Sequence, residues 1–250
     1  MLLTRAHSHN DYWRSRPLWD ALECGFCSVE VDIFLHEGAL KVGHEWHELR
    51  AERTLQALYL EPLRQRARQY RGAIYPEAPF FQLLIDLKTD WQATYPVLRK
   101  VLEQYADLIM HYEGARVHRR AVEVVLSGSR PPVSVLRRER IRFASYDGRL
   151  NELEAGYPPA LMPLVSDNWL AHFKWNGRGD CPQSEADKLK QIVQQVHSKG
   201  YKLRFWNTAD LPTMWQLLWK SGVDFIGTDV PTLLRDFMRG QINIEHGHSE

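Results

Sequence analysis

A group of polar side chains near the start of the chain has the types needed for acid–base and metal chemistry. Its members are His7, His9, Asn10, Glu30, Asp32 and His44. Histidine takes up and releases protons near neutral pH, and carboxylates with an amide oxygen suit Mg²⁺ or Ca²⁺ better than zinc. Because each side chain lies in or just after a short apolar run, we expect the group at the ends of β-strands. The pattern predicts a hard-metal site with a general acid and a general base.

Three carboxylates lie inside predicted strands, where helix capping does not explain them. Glu30 and Asp32 are two positions apart in CSVEVDIFL, so both point to the same side of the strand. Asp86 lies in FQLLIDLKT, together with Lys88. Buried carboxylates are unfavourable unless they are paired. Two interpretations follow: a buried salt bridge with Lys88 or an arginine, or a cage of oxygen ligands around a metal ion that keeps the carboxylates ionised.

Other polar residues near strand ends have a structural interpretation. Asp229, and either Ser166 or Asp167, are of the types that begin or cap helices, and we predict a role as helix caps or in turns for them. His36 and His47 are expected to be exposed loop histidines.

Short apolar runs alternate along the chain with longer amphipathic runs. The predicted strands span residues 2–7, 27–35, 81–89, 122–130, 142–149, 161–169, 202–208 and 223–230. The predicted helices span residues 17–24, 53–70, 91–105, 132–139, 184–199, 211–221 and 231–238. Strands that alternate with helices form a parallel sheet with crossover connections. The chain of 250 residues matches one (β/α)₈ barrel, which typically needs ~250 residues.

The predicted fold class is therefore α/β, as a single (β/α)₈ TIM barrel over residues 1–240, followed by a loose tail over residues 241–250. The strand ends of such a barrel share one mouth, which would bring together polar residues that are far apart in the sequence. A hairpin that turns at Gly38 should return His44 toward the second strand. Residues 107–119 are ambiguous and are compatible with an extra hairpin.

The composition argues against several classes of function. A net charge of +1 gives no strong field for nucleic acid or a membrane surface, so we predict no nucleic-acid partner. No apolar run reaches the ~18 residues of a transmembrane helix, and because polar residues lie close to Met1 we predict no signal peptide in the given sequence. We expect a cytoplasmic protein, or an exported one if an upstream segment is missing. An odd number of cysteines argues against a disulfide framework, and Cys24 ends a predicted helix, so Cys24 and Cys27 are expected to be structural.

Several segments occur in the order found in one known superfamily. They are HSHNDY, PLWDALECGFCSVEVDIFLHEGALKVGH, RTLQALYLEPL, LLIDLKT, SYDGRL and LRFWNTAD followed by GVDFIGTDV. In this ordered set, which covers nearly the whole chain, the sequence resembles the phospholipase C-like phosphodiesterases. That superfamily includes phosphatidylinositol-specific phospholipases C, glycerophosphodiester phosphodiesterases and spider-type sphingomyelinase D. The chain is most similar to the branch that includes altered inheritance of mitochondria protein 6.

The resemblance implies a role for each part of the first polar group. The motif S-H-N-x-Y implies that His9 is catalytic and that Asn10 is a metal ligand. The motif V-E-V-D implies that Glu30 and Asp32 bind the metal. The later G-H pair implies that His44 is the second catalytic histidine.

Further residues follow from related motifs of the superfamily. Alignment on the sphingomyelinase D pattern H-x-x-N would choose His7 in place of His9, so both remain candidates and His9 is favoured. LIDLKT implies that Asp86 binds the metal and that Lys88 meets the phosphate. Trp206 matches a tryptophan that lines the pocket.

The resemblance thus implies a metal-dependent phosphoric diester hydrolase that uses Mg²⁺ or Ca²⁺ and two histidines as general base and acid. Water or a neighbouring hydroxyl of the substrate would attack phosphorus, and Lys88, Arg130 and Arg204 would stabilise the charge. The implied partner is a small-molecule or lipid phosphodiester. A lipid substrate would imply a role in lipid metabolism. The aromatic residues Trp169, Phe173, Trp175 and Trp206 form either an apolar pocket edge or the packing beneath a loop.

Two other functions remain open. A metal-dependent amidohydrolase also carries H-x-H after its first strand, here His7 and His9, and an aspartate after its last, here Asp229. It needs histidines after the fifth and sixth strands, where this chain has Asp147 and Asp167. A non-catalytic barrel used for binding would keep the fold without turnover. The oligomeric state is left unassigned.

Overall fold

The computed structural model describes residues 1–77 and 80–247. Its largest sheet contains eight parallel strands. They are β1 Leu3–Ser8, β2 Phe26–His36, β3 Phe81–Leu87, β4 Val122–Gly128, β5 Ser145–Gly148, β6 Leu164–Asn168, β7 Lys202–Trp206 and β8 Phe225–Thr228. Each strand pairs with the next one, and β1 pairs with β8 as well as with β2. The sheet is therefore closed, and the predicted (β/α)₈ TIM barrel is confirmed.

Helices follow the strands and cover the outside of the barrel. They are α1 Trp19–Cys24, α2 Glu61–Gln69, α3 Trp91–Gln104, α4 Val133–Arg137, α5 Trp169–His172, α6 Gln183–Ser198, α7 Pro212–Ser221 and α8 Pro231–Gly247. In α6, Leu189, Ile192, Val193 and Val196 are spaced so that they lie on one face, and all four are buried. Removing each such side chain from water stabilises the fold by roughly 1.5–3 kcal/mol.

The prediction of a loose tail from residue 241 is wrong for residues 241–247, which continue α8. Ile242 comes four positions after Met238 and packs against the same hydrophobic core, so the apolar face of the helix extends one more turn. Residues 248–250 lie outside the described part of the chain. Within the described residues, no helix is long and apolar enough to cross a membrane.

Short additional strands lie beside the barrel. Ala39–Val42 pairs antiparallel with the end of β2, and the turn uses positive φ angles at Glu37 and Gly38. This is the predicted hairpin that returns His44 toward β2. The ambiguous region forms a hairpin of His111–Glu113 and Arg116–His118, and Ile141–Arg142 pairs with its first strand. The predicted fifth strand is therefore divided, and only its second part joins the barrel.

The barrel interior has an apolar layer below a polar layer. The apolar layer is a separate buried cluster of Leu84, Val125, Leu164 and Phe225. Side chains of a strand alternate between its two faces, so Asp86, Ser127 and Ser166 lie on the same face two positions nearer the carboxyl ends of their strands. Asp86 is the register neighbour of both Asp32 and Ser127. The polar layer forms the floor of the barrel mouth.

The cysteines have the structural character expected from the sequence. Cys24, Cys27 and Cys181 are free. Burial raises the pKa of the Cys27 thiol to about 11, which keeps this sulfur in the unreactive thiol form.

Candidate active site

A cavity of about 530 Å³ opens at the carboxyl ends of the barrel strands. Most of the residues predicted for the site line this cavity: His9, Asn10, Glu30, His44, Asp86, Lys88, Arg204 and Trp206. Asp32 and His7 are fully buried beneath them. Arg130 is not part of the lining. The closed barrel thus gathers side chains from the first, second, third and seventh strands at one mouth.

Three carboxylates at the floor of the cavity form a candidate metal site. Glu30, Asp32 and Asp86 each offer an oxygen, and these oxygens lie within 4.8 Å of one another. Oδ1 of Asp32 is buried and has no hydrogen-bond partner among the described residues. An unsatisfied buried acceptor costs ~1–3 kcal/mol, so this oxygen favours a bound ligand. The donor set of carboxylate oxygens fits a divalent cation of the Mg²⁺ or Ca²⁺ type.

Salt bridges with a lysine and an arginine, the alternative interpretation of the buried carboxylates, are also present, but these two cations are fewer than the three carboxylates. Nζ of Lys88 is 2.9 Å from Oδ2 of Asp32 and 3.4 Å from Oδ1 of Asp86. Arg204 donates to Oε2 of Glu30. Lys88 and Arg204 therefore supply two permanent positive charges for three carboxylates, and a bound metal ion would add to them.

Mutual repulsion among the carboxylates is visible in their pKa values. Burial and the charge of Asp32 raise the pKa of Asp86 to about 6. Burial and the charge of Glu30 raise the pKa of Asp32, and Lys88 offsets part of this effect. Burial alone would raise the pKa of Glu30, but Arg204 and His9 outweigh it and hold the pKa well below its usual range. A cation at this site would favour the ionised form of all three.

Tyr12 joins three of the candidate residues and was not among those predicted. Its hydroxyl lies 2.8 Å from Oδ1 of Asn10, 2.7 Å from Oδ2 of Asp32 and 3.2 Å from Nδ1 of His44. Asn10 has a left-handed backbone with φ of 45°, a conformation that asparagine tolerates better than most residues. Tyr12 was visible in the sequence as the last residue of S-H-N-x-Y, which points to it as the residue that orients this corner of the site.

His9 is held at the rim of the cavity by a carboxylate. Its Nδ1 lies 3.0 Å from Oδ1 of Asp229, and its Nε2 lies 4.0 Å from Oε1 of Glu30. Burial lowers the pKa of His9, but Glu30 and Asp229 outweigh this effect and raise it above the ordinary value. The helix-capping role predicted for Asp229 is wrong, because α8 begins at Pro231 and the Asp229 side chain pairs with His9 and Arg14 instead.

His44 is held in a similar way from the other side of the acidic group. Its Nδ1 lies 3.0 Å from Oδ2 of Asp32, and its side chain is 38% exposed. The ring of Trp13 stacks at an angle against the His44 ring, with their centroids 5.2 Å apart. Because a carboxylate only accepts hydrogen bonds, Nδ1 of His44 donates to Asp32 and Nε2 is left for proton exchange.

His7 lies below the cavity and is held in a neutral state. Its Nε2 donates to Oε2 of Glu30 at 3.2 Å, and its Nδ1 accepts from the Ser28 hydroxyl at 2.7 Å. Ser28 in turn accepts from the side-chain amide of Gln82. Burial and the charge of Arg204 lower the pKa of His7 to about 3. His7 is therefore placed to orient Glu30, whereas His9 reaches the cavity.

The structure does not bring Arg130 into the site. Its guanidinium lies 4.3 Å from the centroid of the Tyr146 ring and 3.3 Å from Glu152. Arg149, which was not predicted, lines the cavity instead. Both arginines follow barrel strands, so their sequence positions gave no reason to choose between them.

The remaining predictions concern the late strands. Trp169, Phe173 and Trp175 are buried, and the rings of Trp169 and Phe173 stack with centroids 4.0 Å apart. The packing interpretation therefore applies to these three, and only Trp206 of that group reaches the cavity.

The capping role predicted for Asp167 is wrong, because the side chain of Asn168 caps α5. Ser166 is buried, and its hydroxyl has no partner among the described residues.

Comparison with known proteins assigns the chain to a family. Residues 2–147 match the model of the AIM6-like phosphodiesterase domain. The chain is 30% identical to altered inheritance of mitochondria protein 6 of Eremothecium gossypii, over 91% of this chain and 68% of that protein. It is 28% identical to the homologue from Arthroderma benhamiae, over 89% of this chain and 80% of that protein, and 29% identical to the protein of Saccharomyces cerevisiae, over 94% and 70%.

Solved structures agree in fold. A glycerophosphodiester phosphodiesterase from Parabacteroides distasonis superposes with a TM-score of 0.56 at 14% identity, covering 95% of this chain and 98% of that one. The enzyme of the same name from Agrobacterium tumefaciens superposes with a TM-score of 0.54 at 14% identity, covering 95% and 100%. Together with the family match, these findings confirm the resemblance inferred from the motifs: the chain belongs to the AIM6-like phosphodiesterase domain family, on a barrel of the glycerophosphodiester phosphodiesterase type.

Proposed function

We propose that the chain is a metal-dependent phosphoric diester hydrolase that takes Mg²⁺ or Ca²⁺ and cleaves small-molecule or lipid phosphodiesters. One observation carries the proposal. Two histidines, each held through Nδ1 by a different aspartate, flank three carboxylates whose oxygens lie within 4.8 Å of one another. The cavity above them, of about 530 Å³, has room for a small phosphodiester.

The metal would be held by Asn10, Glu30, Asp32 and Asp86. When bound, a divalent cation neutralises phosphoryl charge and lowers the pKa of the attacking hydroxyl. Lys88 and Arg204 line the same cavity and add positive charge where the phosphoryl group would sit. His7 donates to Glu30 from below and keeps this ligand oriented.

The two histidines divide the proton transfers. Asp229 and Asp32 each accept from Nδ1 of one histidine, so Nε2 of His9 and of His44 is available for the substrate. One histidine removes the proton of the attacking water or substrate hydroxyl as the new P–O bond forms. The other gives a proton to the leaving oxygen as the old P–O bond breaks. Attack by water gives a phosphomonoester and an alcohol, and attack by a neighbouring hydroxyl gives a cyclic phosphodiester.

The test uses a panel of glycerol, inositol and choline phosphodiesters. Cleavage of each is monitored by ³¹P NMR in the presence of Mg²⁺, Ca²⁺ or a chelator. We expect turnover with metal and none with chelator. His9→Ala and His44→Ala should each lower kcat by about 10²–10⁴-fold, the usual contribution of a general acid or base. His47→Ala is the matched control, because His47 is exposed outside this cavity. Unchanged turnover in either His9→Ala or His44→Ala would refute the assignment.

The alternatives predict different outcomes of the same panel. A non-catalytic barrel would bind metal and turn over none of the phosphodiesters. An amidohydrolase-like function lacks support in the described part of the chain. There, Asp147 pairs with Ser127 and Arg149, and the three carboxylates of the candidate metal site are not joined by a histidine ligand.

A further inference from the structure

Arg149 is anchored at the cavity by one edge of its guanidinium group. Nη1 lies 2.8 Å from Oδ2 of Asp147 and 2.9 Å from the carbonyl oxygen of Gly148, and Nη2 lies 3.3 Å from the hydroxyl of Ser127. Asp147 is fully buried, while the Arg149 side chain is 24% exposed. The anchor therefore fixes the direction of the guanidinium without removing it from the cavity.

The contact with Ser127 brings the guanidinium close to the candidate metal site. Arg149 follows β5, but its side chain reaches back to Ser127 on β4. Ser127 is the register neighbour of Asp86 on β3. Lys88 approaches Asp86 from the opposite side, since its Nζ also contacts Asp32 on β2. Arg149 and Lys88 thus flank the acidic group from two sides.

The second edge of the guanidinium is available for a ligand. An arginine has five N–H donors in a fixed planar arrangement. Nη1 and one proton of Nη2 are directed at Asp147, Gly148 and Ser127. Among the described residues, no hydrogen bond is made by Nε–H. The edge formed by Nε–H and the second Nη2–H matches two oxygens of a phosphate group, which arginine binds with two parallel hydrogen bonds.

We infer that Arg149 binds the anionic phosphoryl oxygens of the substrate, opposite Lys88 across the acidic group. This inference rests on the proposed function, because it assumes that the cavity takes a phosphodiester. It assigns to Arg149 the role that the sequence pattern had given to Arg130. Arg130 is itself the best matched control, because it also follows a barrel strand and makes one ion pair, but it lies outside the cavity lining.

The test measures the affinity of the metal-loaded protein for inorganic phosphate by titration calorimetry, which does not require turnover. Arg149→Lys keeps a positive charge but loses the paired donors, and we expect it to bind phosphate about 10- to 100-fold more weakly, the usual loss for hydrogen bonds to a charged group. Arg130→Lys should stay within about twofold of wild type, because Arg130 pairs with Glu152 and lies outside the cavity lining. The double variant Arg149→Met with Asp147→Asn removes the cation without leaving a buried carboxylate unpaired, and should weaken binding as well.

Several outcomes would overturn the inference: no phosphate binding by the wild-type protein, unchanged affinity in Arg149→Lys, or equal losses in Arg149→Lys and Arg130→Lys. Turnover of bis(4-nitrophenyl) phosphate separates this inference from the proposed function. If phosphate affinity depends on Arg149 but no phosphodiester is cleaved, the proposed function fails and the binding role stands. If the wild type cleaves phosphodiesters and Arg149→Lys has the same kcat/KM and phosphate affinity, only the role of Arg149 fails.

Discussion

Gly128 is the position where a single methyl group should disturb both the fold and the candidate metal site. It ends β4 with φ of +65°, in the left-handed region that disfavours side chains. A Cβ atom there would overlap Oδ1 of Asp86 and lie 2.6 Å from the carbonyl oxygen of Leu87. Leu87 O already accepts from the amide of Ser129 at 2.8 Å, so the backbone has little freedom to withdraw.

The expected loss follows from two separate effects. Left-handed backbone strain costs Gly128→Ala roughly 1–2 kcal/mol, and forcing a methyl group into filled space adds about 1–3 kcal/mol. Gly156→Ala is the matched control, because Gly156 has the same φ of +65° and, its chain neighbours aside, no described residue has an atom within 4 Å of its added Cβ. Gly156→Ala should lose only the stability that left-handed backbone strain costs. The difference between the two variants therefore measures the close approach of β4 to Asp86.

The assay is urea unfolding of both variants and the wild type, with Mg²⁺ and with chelator. A ligand at 100 times its Kd stabilises the folded state by about 2.7 kcal/mol. Because the new methyl group displaces Asp86, Gly128→Ala should lose much of this metal-dependent gain, and Gly156→Ala should keep it. Equal losses of stability in the two variants, together with equal stabilisation by metal, would refute the reasoning.

Two further predictions concern charge in the site. With chelator present, Asp86→Asn should be more stable than wild type by at most about 3 kcal/mol at pH 7, and the two should be equally stable below about pH 4. The folded-state pKa of Asp86 is raised to about 6, so its carboxyl group destabilises the metal-free fold as the pH rises through that range. Urea unfolding between pH 4 and 7 tests this, and a wild-type protein whose stability does not fall there contradicts it. Asp229→Asn should move the limb of the kcat/KM pH profile that belongs to His9 to lower pH, because it removes a charge that raises the His9 pKa. An unmoved profile would show that Asp229 does not act on His9.

The barrel was predictable because its signals are local. Apolar runs mark the strands, and residues such as Leu189 and Val196 repeat at helical spacing in α6. The errors occur where pairing between distant segments decides the structure. The predicted fifth strand is divided because Arg142 pairs with Tyr112 in a separate small sheet. The closing helix is longer than predicted because Ile242 still finds the core.

The site was predictable where a residue type conflicts with its surroundings. Carboxylates inside apolar strands, such as Glu30 and Asp86, demand an explanation from the sequence alone. The choice between Arg130 and Arg149 gives no such conflict, since each follows a strand. Which arginine lines the cavity depends on its ion-pair partner, which is Glu152 for Arg130 and Asp147 for Arg149. These pairings depend on side-chain directions that spacing does not specify.

The two neighbouring histidines show how depth along the barrel separates residues that look alike in the sequence. His7 and His9 are two positions apart, so alternation places them on the same side of β1, about 6.6 Å apart along the strand. His7 is still within β1 and is level with Ser28 of β2, where burial keeps it neutral beneath Glu30. His9 lies just beyond the end of β1, where the cavity and Asp229 are within reach. A rise of two residues along the strand therefore separates a histidine that supports Glu30 from one that is a candidate for proton transfer.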